Sequence, residues 1–563
     1  MHNISAFINR NHKKFLFSLC LNILLFILFN VFFYCRYHTV DDVFMEMIAC
    51  GAFGKPDQHL IYINVIPGFL LKGLYSIFQR MPWYSFMQIV FSILSFSSVM
   101  YVFFNREDPI KYLILMAIVA ISYEAYTRVQ FTKTAAFLTV TGYTLIAYCI
   151  ERKQKNNILL FGILFLLGGF MMRPGMFFGC SAVCLGGLLP IVFRCLKKNR
   201  EQEDLNKLKR LFFAGFCSLA LVGTAFLTDK MAYSSDEWKY YKHYNEYITQ
   251  LEDINFPSYE LYQKEYEKLN ISNNDYILYS AMDQNDPDLL DTDKMEKIKN
   301  LQPHKTMNID EFIEFLLKGK NKFFKERSMT PFTIALISVL LVFVFGSKWN
   351  LVSWSSLIFT GFASFVCLFY TYMMHRWLDR TTISVVYAAI VTTALLIKSK
   401  DVKIVKGFIV LILCLSVLGF GRCWKGSYKW NMQQWITDRN NNQDVLNEIY
   451  KDKEHLYIGR TSLPLWKAYY APYDGIKKGA MANFSPLGDW LTNAPFSIEV
   501  LENYNVFNPY KDVVNNEKVY LVGDENSLKP VLQYIQDHYS KNAELSLIRT
   551  IGVYDVFLVI DTE

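Results

Sequence analysis

Residues 37–54 read YHTVDDVFMEMIACGAFG, and they follow directly on a long apolar run that ends at Cys35. Two adjacent carboxylates, Asp41 and Asp42, therefore stand just outside a membrane-length segment, where charge calls for a reason. Thr39-x-x-Asp42 has the spacing of a capping box, in which the threonine oxygen and the carboxylate satisfy free amides at a helix start. Val43, Phe44, Met47 and Ile48 then recur at helical spacing, which predicts a short amphipathic helix lying along the membrane surface. Its polar side carries Asp42 and, one turn on, Glu46. Like charges at that spacing cost a few tenths of a kcal/mol unless a cation, a metal or a proton offsets them. The stretch reads either as a capped surface helix or as a catalytic carboxylate at the membrane face.

The chain around it belongs in a bilayer. Of 563 residues, 52% are hydrophobic and 16% aromatic, and the mean hydropathy is +0.15, unlike a water-soluble protein of this size. The net charge of +7 comes from short basic loops between apolar runs rather than from one basic face, which argues against a nucleic-acid partner. None of the 11 cysteines lies in 229–327 or beyond Cys423, so the two large polar regions have no disulfide framework. The first apolar run, 15–35, is too long for a signal-peptide core and lacks a small-x-small cleavage site. It is expected to be a retained anchor with a cytoplasmic N-terminus.

Apolar segments at 15–35, 83–104, 111–123, 131–150, 157–172, 176–193, 211–228, 331–346, 351–372, 381–397 and 405–420 predict about eleven spans. Segment 59–79 is ambiguous, because Pro67-Gly68 breaks it and it carries Lys72. If it does not cross, the loops 1–14, 105–111, 151–156, 194–210, 347–350 and 398–406 all face the cytoplasm and are all basic, as the positive-inside rule demands. If it does cross, ERKQK and KKNREQEDLNKLKR face outward. Segment 59–79 is accordingly placed in the first outer loop. This divides the chain into an N-terminal membrane module (1–228) with its first outer loop at 36–82, an extracytoplasmic helical insertion (229–327), further membrane helices (328–420) and a small extracytoplasmic α/β domain (421–563). Strand-like runs at 455–459, 518–522, 545–550 and 554–560 and a helix-like 527–539 define the last. There is no internal repeat of the kind common in transporters.

Several side chains on the outer face have chemistry to offer. NDPDLLDTDK, with Asp286, Asp288, Asp291 and Asp293, lacks the glycine and distal glutamate of a calcium loop and reads as a solvated loop that caps the next helix. In YMMHRWLDR, His375 leads into Arg376 and Arg380, one helical turn apart with Asp379 between them, a pair suited to a phosphate or to snorkelling towards headgroups. Arg128 and Lys133, with Glu124, form a second charged turn, and Arg173 a third. Together these cations share a face with two carboxylates, the arrangement needed to hold an anionic lipid phosphate beside a general base.

On these features the chain, over 15–420, resembles membrane glycosyltransferases of the GT-C fold, such as protein O-mannosyltransferases and the aminoarabinose transferase of lipid A. VDDVFMEMIACGAFGKPDQHLIYIN and GDWLTNAP (488–495) are also similar to Gram-positive multi-pass proteins of this type. The resemblance implies an α-helical polytopic enzyme of a bacterial plasma membrane that moves a sugar from a polyprenyl-phosphate carrier to a hydroxyl of an envelope polymer, lipid or protein. The first-loop aspartate of that family is the general base and maps onto Asp41 or Asp42, with Asp41 favoured because Asp42 has the capping position. Arg376, Arg380, Arg173, Arg128 and His375 are the expected phosphate ligands. Glu124 matches only loosely the second acidic motif of the metal-dependent members, so a divalent metal at Asp42, Glu46 or Glu124 stays open. The alternatives are a flippase or transporter of lipid-linked sugars and an envelope polysaccharide polymerase or ligase. Charges concentrated at the outer ends of the spans, rather than at midplane, favour the enzyme.

Overall fold

The computed structural model describes residues 2–562 except 109, 153–155, 197–201, 303–307, 348–349, 398–420, 423 and 426. The last expected span, 405–420, and the loop 398–406 before it lie outside the described residues, as do parts of the basic loops at 151–156, 194–210 and 347–350. The chain begins with α1 (His2–Phe32), β1 (Arg36–Tyr37), α2 (Val40–Cys50), α3 (Val65–Ile77), α4 (Trp83–Phe104), α5 (Ile110–Thr127) and β2 (Arg128–Val129). It continues through α6 (Phe131–Glu151), α7 (Asn156–Met172), α8 (Pro174–Cys195) and α9 (Gln202–Ala232). Next come α10 (Asp236–Ile254), α11 (Gln263–Lys268), α12 (Asn273–Ser280), α13 (Thr292–Leu301) and the amphipathic α14 (Ile309–Lys325), followed by α15 (Thr330–Gly346), α16 (Leu351–Met373) and α17 (Asp379–Leu396). The C-terminal part holds α18 (Gln433–Lys451), β3 (Leu456–Gly459), β4 (Phe484–Pro486), α19 (Pro495–Glu502), β5 (Val519–Gly523), α20 (Glu525–His538), β6 (Ala543–Ile551) and β7 (Tyr554–Asp561).

Among the described residues, 7 helices are long and apolar enough to cross a membrane, or 8 if α14 and α15, bent by 101° at their junction, count as one. The expected span at 157–172 forms α7, an apolar helix of 17 residues that is below that length, and the one at 176–193 falls within α8. The protein is thus a polytopic helical membrane protein with a small sheet domain at its C-terminus.

Contacts between helix ends sort the loops. At one end of the bundle Lys14 donates to the Asn105 side chain (2.9 Å), and Arg106 reaches the carbonyls of Ala394 and Ile397. At the other end the foot of α4 meets α2, where Tyr84 donates to Asp42 at 2.9 Å. Helix α1 therefore runs from the first end to the second, α4 runs back, and α2 and α3 stay at the second end. The physical reason is length: α3 has 13 residues, well short of the roughly 20 that a bilayer core requires. Pro67 does not break it, because it falls in the first turn, after an Asn64 cap that accepts from Ile66 N. Ile66, Phe69, Leu70 and Ile77 are exposed, as on a helix lying in the interface.

The C-terminal sheet has the order β4-β3-β5-β7-β6, parallel across β4, β3 and β5 and antiparallel across β5, β7 and β6. Strands are found at four of the positions that alternation predicts, whereas β4, a three-residue strand ending in Pro486, carries no such pattern. One core joins this sheet to the 229–327 insertion: Tyr244, Ile248, Leu251, Leu278 and Met295 pack with Leu456, Val519, Leu521 and Val531. The insertion and the C-terminal domain, separate in sequence, thus share a single apolar interior. Asp286 is buried in it rather than solvated, accepting from Asn508, Tyr534, Tyr539 and two backbone amides. Asp291 does cap α13, through Lys294 N at 2.8 Å.

Candidate active site

Helix α2 does not lie on a surface. Val43, Met45, Met47, Ile48 and Cys50 are all buried, because the C-terminal domain closes over the helix. Gly479 N donates to Gly51 O and Met481 N to Ala52 O. The helix stops at Gly51, whose φ of +78° suits glycine, and a Cβ there would lie 2.5 Å from Pro56 N.

The capping box is absent: Thr39 makes no side-chain cap, and its hydroxyl donates instead to Asp42 Oδ2 at 3.3 Å. Asp42 is wholly buried, and its Oδ1 accepts from Tyr84 (2.9 Å), Gln88 (3.0 Å) and the amide of Phe131 (3.1 Å). It ties α2 to α4 and to the start of α6. Glu46 has a cage of its own, with Tyr37 donating at 2.5 Å and Tyr75 at 3.0 Å. Burial pushes both carboxyls up to about 7, so the like-charge pair on α2 is relieved by protonation and tyrosine donors rather than by a cation.

Asp41 points elsewhere. Its Oδ2 lies 3.5 Å from an Arg380 nitrogen, and the carboxylate stays partly accessible. Arg376 is one step away, its Nε 2.8 Å from Asp253. Arg173 is half-buried, 4.9 Å over the Tyr62 ring and 5.6 Å over Phe131. Burial lowers its pKa, Arg376 and Arg380 lower it further, and Tyr62 and Asp41 raise it. Asp41, Arg173, Arg376 and Arg380 therefore feel one another at one point. Arg376 and Arg380 do not share a helical turn, since α17 begins only at Asp379. Asp379 does not neutralise either arginine, pairing instead with Lys322 at 2.6 Å and Ser328 at 3.1 Å.

Arg128 and His375 make other contacts, although Arg128 and Arg380 both act on His38. Arg128 is held 3.7 Å from Glu124, which also binds Lys133 at 2.9 Å and lies 3.9 Å from His38. Arg128 belongs to β2, which pairs in parallel with β1. His375 lines a second cavity of about 390 Å³ with Lys318, Lys322, Tyr372 and Trp377. Among the described residues, no three of His, Cys, Asp or Glu converge as metal ligands. Asp42, Glu46 and Glu124 are each engaged by separate protein donors and do not fit one ion.

Sequence reading overlooked Tyr62, Glu252 and Asp253. A signal for the acidic pair existed: both fall in the last turn of α10, where the helix dipole disfavours anions and no basic residue is present. Their partners come from elsewhere in the chain. Glu252 is raised by burial and by Asp41 and lowered by Arg376 and Arg380, while burial pushes Asp253 up to about 6.

Fold and site together define a polytopic membrane protein with a carboxylate–arginine cluster at one end of its bundle, closed over by an α/β domain. No protein-family model matches the chain, and no curated protein matches it. It is similar to crystal structures of ArnT from Cupriavidus metallidurans, one bound to undecaprenyl phosphate and one in the apo state. These share 11% and 10% identity with it, over 96% of this chain and 97% of theirs, each with a TM-score of 0.40.

Proposed function

We propose that the protein is a glycosyltransferase that moves a sugar from a polyprenyl-phosphate carrier to a hydroxyl of a cell-envelope polymer, lipid or protein, with inversion, on the outer face of a bacterial plasma membrane. The observation that carries this reading is the partly accessible Asp41 carboxylate beside Arg380, with Arg376 and the half-buried Arg173 in the same electrostatic neighbourhood. Lys14, Arg106 and Arg210 gather at the opposite end of the bundle, which supports a cytoplasmic position for that end and an outer one for the cluster.

In the reaction the acceptor hydroxyl loses its proton to Asp41 as its oxygen bonds to the anomeric carbon, while the bond from that carbon to the carrier phosphate breaks on the far side. The charge that develops on the leaving phosphate falls to Arg380, Arg376 and Arg173. A phosphate arriving at Arg380 competes with Asp41 for that guanidinium, and this would release the carboxylate to act as base. Asp42 is a poor base by comparison, because one of its oxygens already accepts three hydrogen bonds and the residue has no exposure. Residues 36–82 form the catalytic loop.

The test is transfer of label from polyprenyl-phosphate sugars to crude envelope acceptor by the purified protein. Asp41→Asn is expected to lower the rate by about 10² to 10⁴ with unchanged melting. Wild-type protein that moves no sugar from any such donor would defeat the proposal, and full activity in Asp41→Asn would remove Asp41 from the base position.

A further inference from the structure

Between α2, the end of α10 and the C-terminal domain lies a cavity of about 430 Å³, within the roughly 300–1,000 Å³ of small-molecule sites. Its walls include Phe44, Glu252, Arg460, Trp466, Asp489 and Trp490. The Asp41 cluster uses only its edge: Val40 and Phe44 flank Asp41 on α2, and Glu252 feels Asp41, Arg376 and Arg380. The wall is also physically continuous with that cluster. Trp490 packs 4.9 Å from Tyr62, which in turn lies under Arg173 at 4.9 Å.

The wall is built under strain. Asp489 has a φ of +143°, a region that side chains rarely enter. The preceding Gly488 fits so closely that a Cβ there would come within 1.9 Å of Met282 O. The loop is clamped besides, with Tyr241 and Asn245 donating to Trp490 O at 2.9 and 2.7 Å. This rigid loop holds a buried carboxylate, Asp489, which accepts from Leu491 N at 2.6 Å and has no ion pair among the described residues. Burial pushes it up to about 7. The indole nitrogen of Trp490 is buried and has no hydrogen-bond partner among the described residues.

We infer that this cavity is the acceptor site and that it takes a carbohydrate of neutral or amino sugars. The inference rests on the transferase reading for the word acceptor, and on the cavity alone for the sugar. Indole and phenyl faces beside a fixed carboxylate suit the apolar face and vicinal hydroxyls of a pyranose. Charge selects the kind of sugar. The cavity carries Glu252, Asp489 and Glu502, and the guanidinium in its wall, Arg460, is occupied by Asp283 at 2.7 Å and by the Ser527 carbonyl. Phosphorylated or uronic polymers would meet three acidic side chains and, among the described residues of the wall, no cation without a protein partner.

Saturation-transfer NMR on the full-length protein in detergent tests this, with di- to tetrasaccharides of glucose, N-acetylglucosamine and glucosamine, and with digalacturonate as the anionic control. At least one neutral or amino series is expected to bind wild type, and to bind about tenfold more weakly to Trp466→Ala and Asp489→Asn, with Trp466→Phe retaining binding. The Phe and Asn variants keep shape, so a misfolded Ala variant leaves the test intact. Absence of binding by every neutral and amino oligosaccharide, preference for digalacturonate, or undiminished binding by folded Asp489→Asn together with folded Trp466→Ala would overturn the inference. Sugar binding without donor turnover would instead defeat the transferase reading and leave a carbohydrate site; donor turnover without sugar binding would do the reverse.

Discussion

Asp42→Asn should make the protein less sensitive to alkaline pH. In the folded state burial holds Asp42 at about 7, against 3.8 for the free side chain, so the fold favours the neutral acid. A carboxyl raised in this way contributes stability that is lost as pH climbs from the unfolded value to the folded one, at about 1.4 kcal/mol per unit. Between pH 5 and 7 that is roughly 3 kcal/mol, and above 7 the loss levels off. Asparagine never ionises, and its carbonyl oxygen can still accept from Tyr84, Gln88 and Phe131 N. The advantage of the variant over wild type is therefore expected to grow by roughly 3 kcal/mol between pH 5 and pH 8. Asp42→Ala, by contrast, leaves three buried donors without an acceptor, at about 1–3 kcal/mol each, and should be destabilised at every pH. Thermal unfolding of detergent-purified wild type, Asn and Ala variants at pH 5, 6, 7 and 8 reads both effects. Glu46 is also raised, in part by Asp42 itself, so the difference in pH slope reads Asp42 together with its effect on Glu46. A slope for Asp42→Asn equal to that of wild type would refute the buried-acid account. A uniform loss of about 0.5–2 kcal/mol would restore the helix-cap role that the spacing suggests.

Other perturbations test neighbouring parts of the arrangement. Arg380→Ala should lower donor turnover by roughly 2–4 kcal/mol of transition-state stabilisation, and unchanged donor kinetics would leave Arg380 as a partner of Asp41 only. Glu124→Gln strips the buried Lys133 of its carboxylate, with both side chains 1% exposed, and should cost about 3–5 kcal/mol of stability; a melting curve like that of wild type would contradict this. Gly488→Ala drives a methyl into Met282 O, so the contact between the insertion and the C-terminal domain should loosen, detectable as faster proteolysis in 229–327; unaltered cleavage would show that the loop can yield.

Membrane residence was legible from the sequence, because apolar run length and loop charge respond to the bilayer, a solvent common to every part of the chain. The placement of α3 at one end also followed from loop charge, and the helix-end contacts of Lys14, Arg106 and Tyr84 agree with it. The choice between Asp41 and Asp42 was only half legible. A difference of one residue on a helix turns a side chain by about 100°, and what each then meets depends on other elements: α4 and α6 for Asp42, α17 for Asp41. Spacing misled at Arg376 and Arg380, because a helical turn was assumed before the point where α17 begins. The tyrosines that donate to Asp42 and Glu46 come from β1, α3 and α4, which the spacing within α2 does not reveal. The pairing of Glu252 and Asp253 with arginines more than a hundred residues away, and the cavity closed by 459–507 over α2, are products of long-range packing. Local sequence sets propensity, period and charge; which charged side chains meet was decided only when the 229–327 insertion and the C-terminal domain closed on a common core.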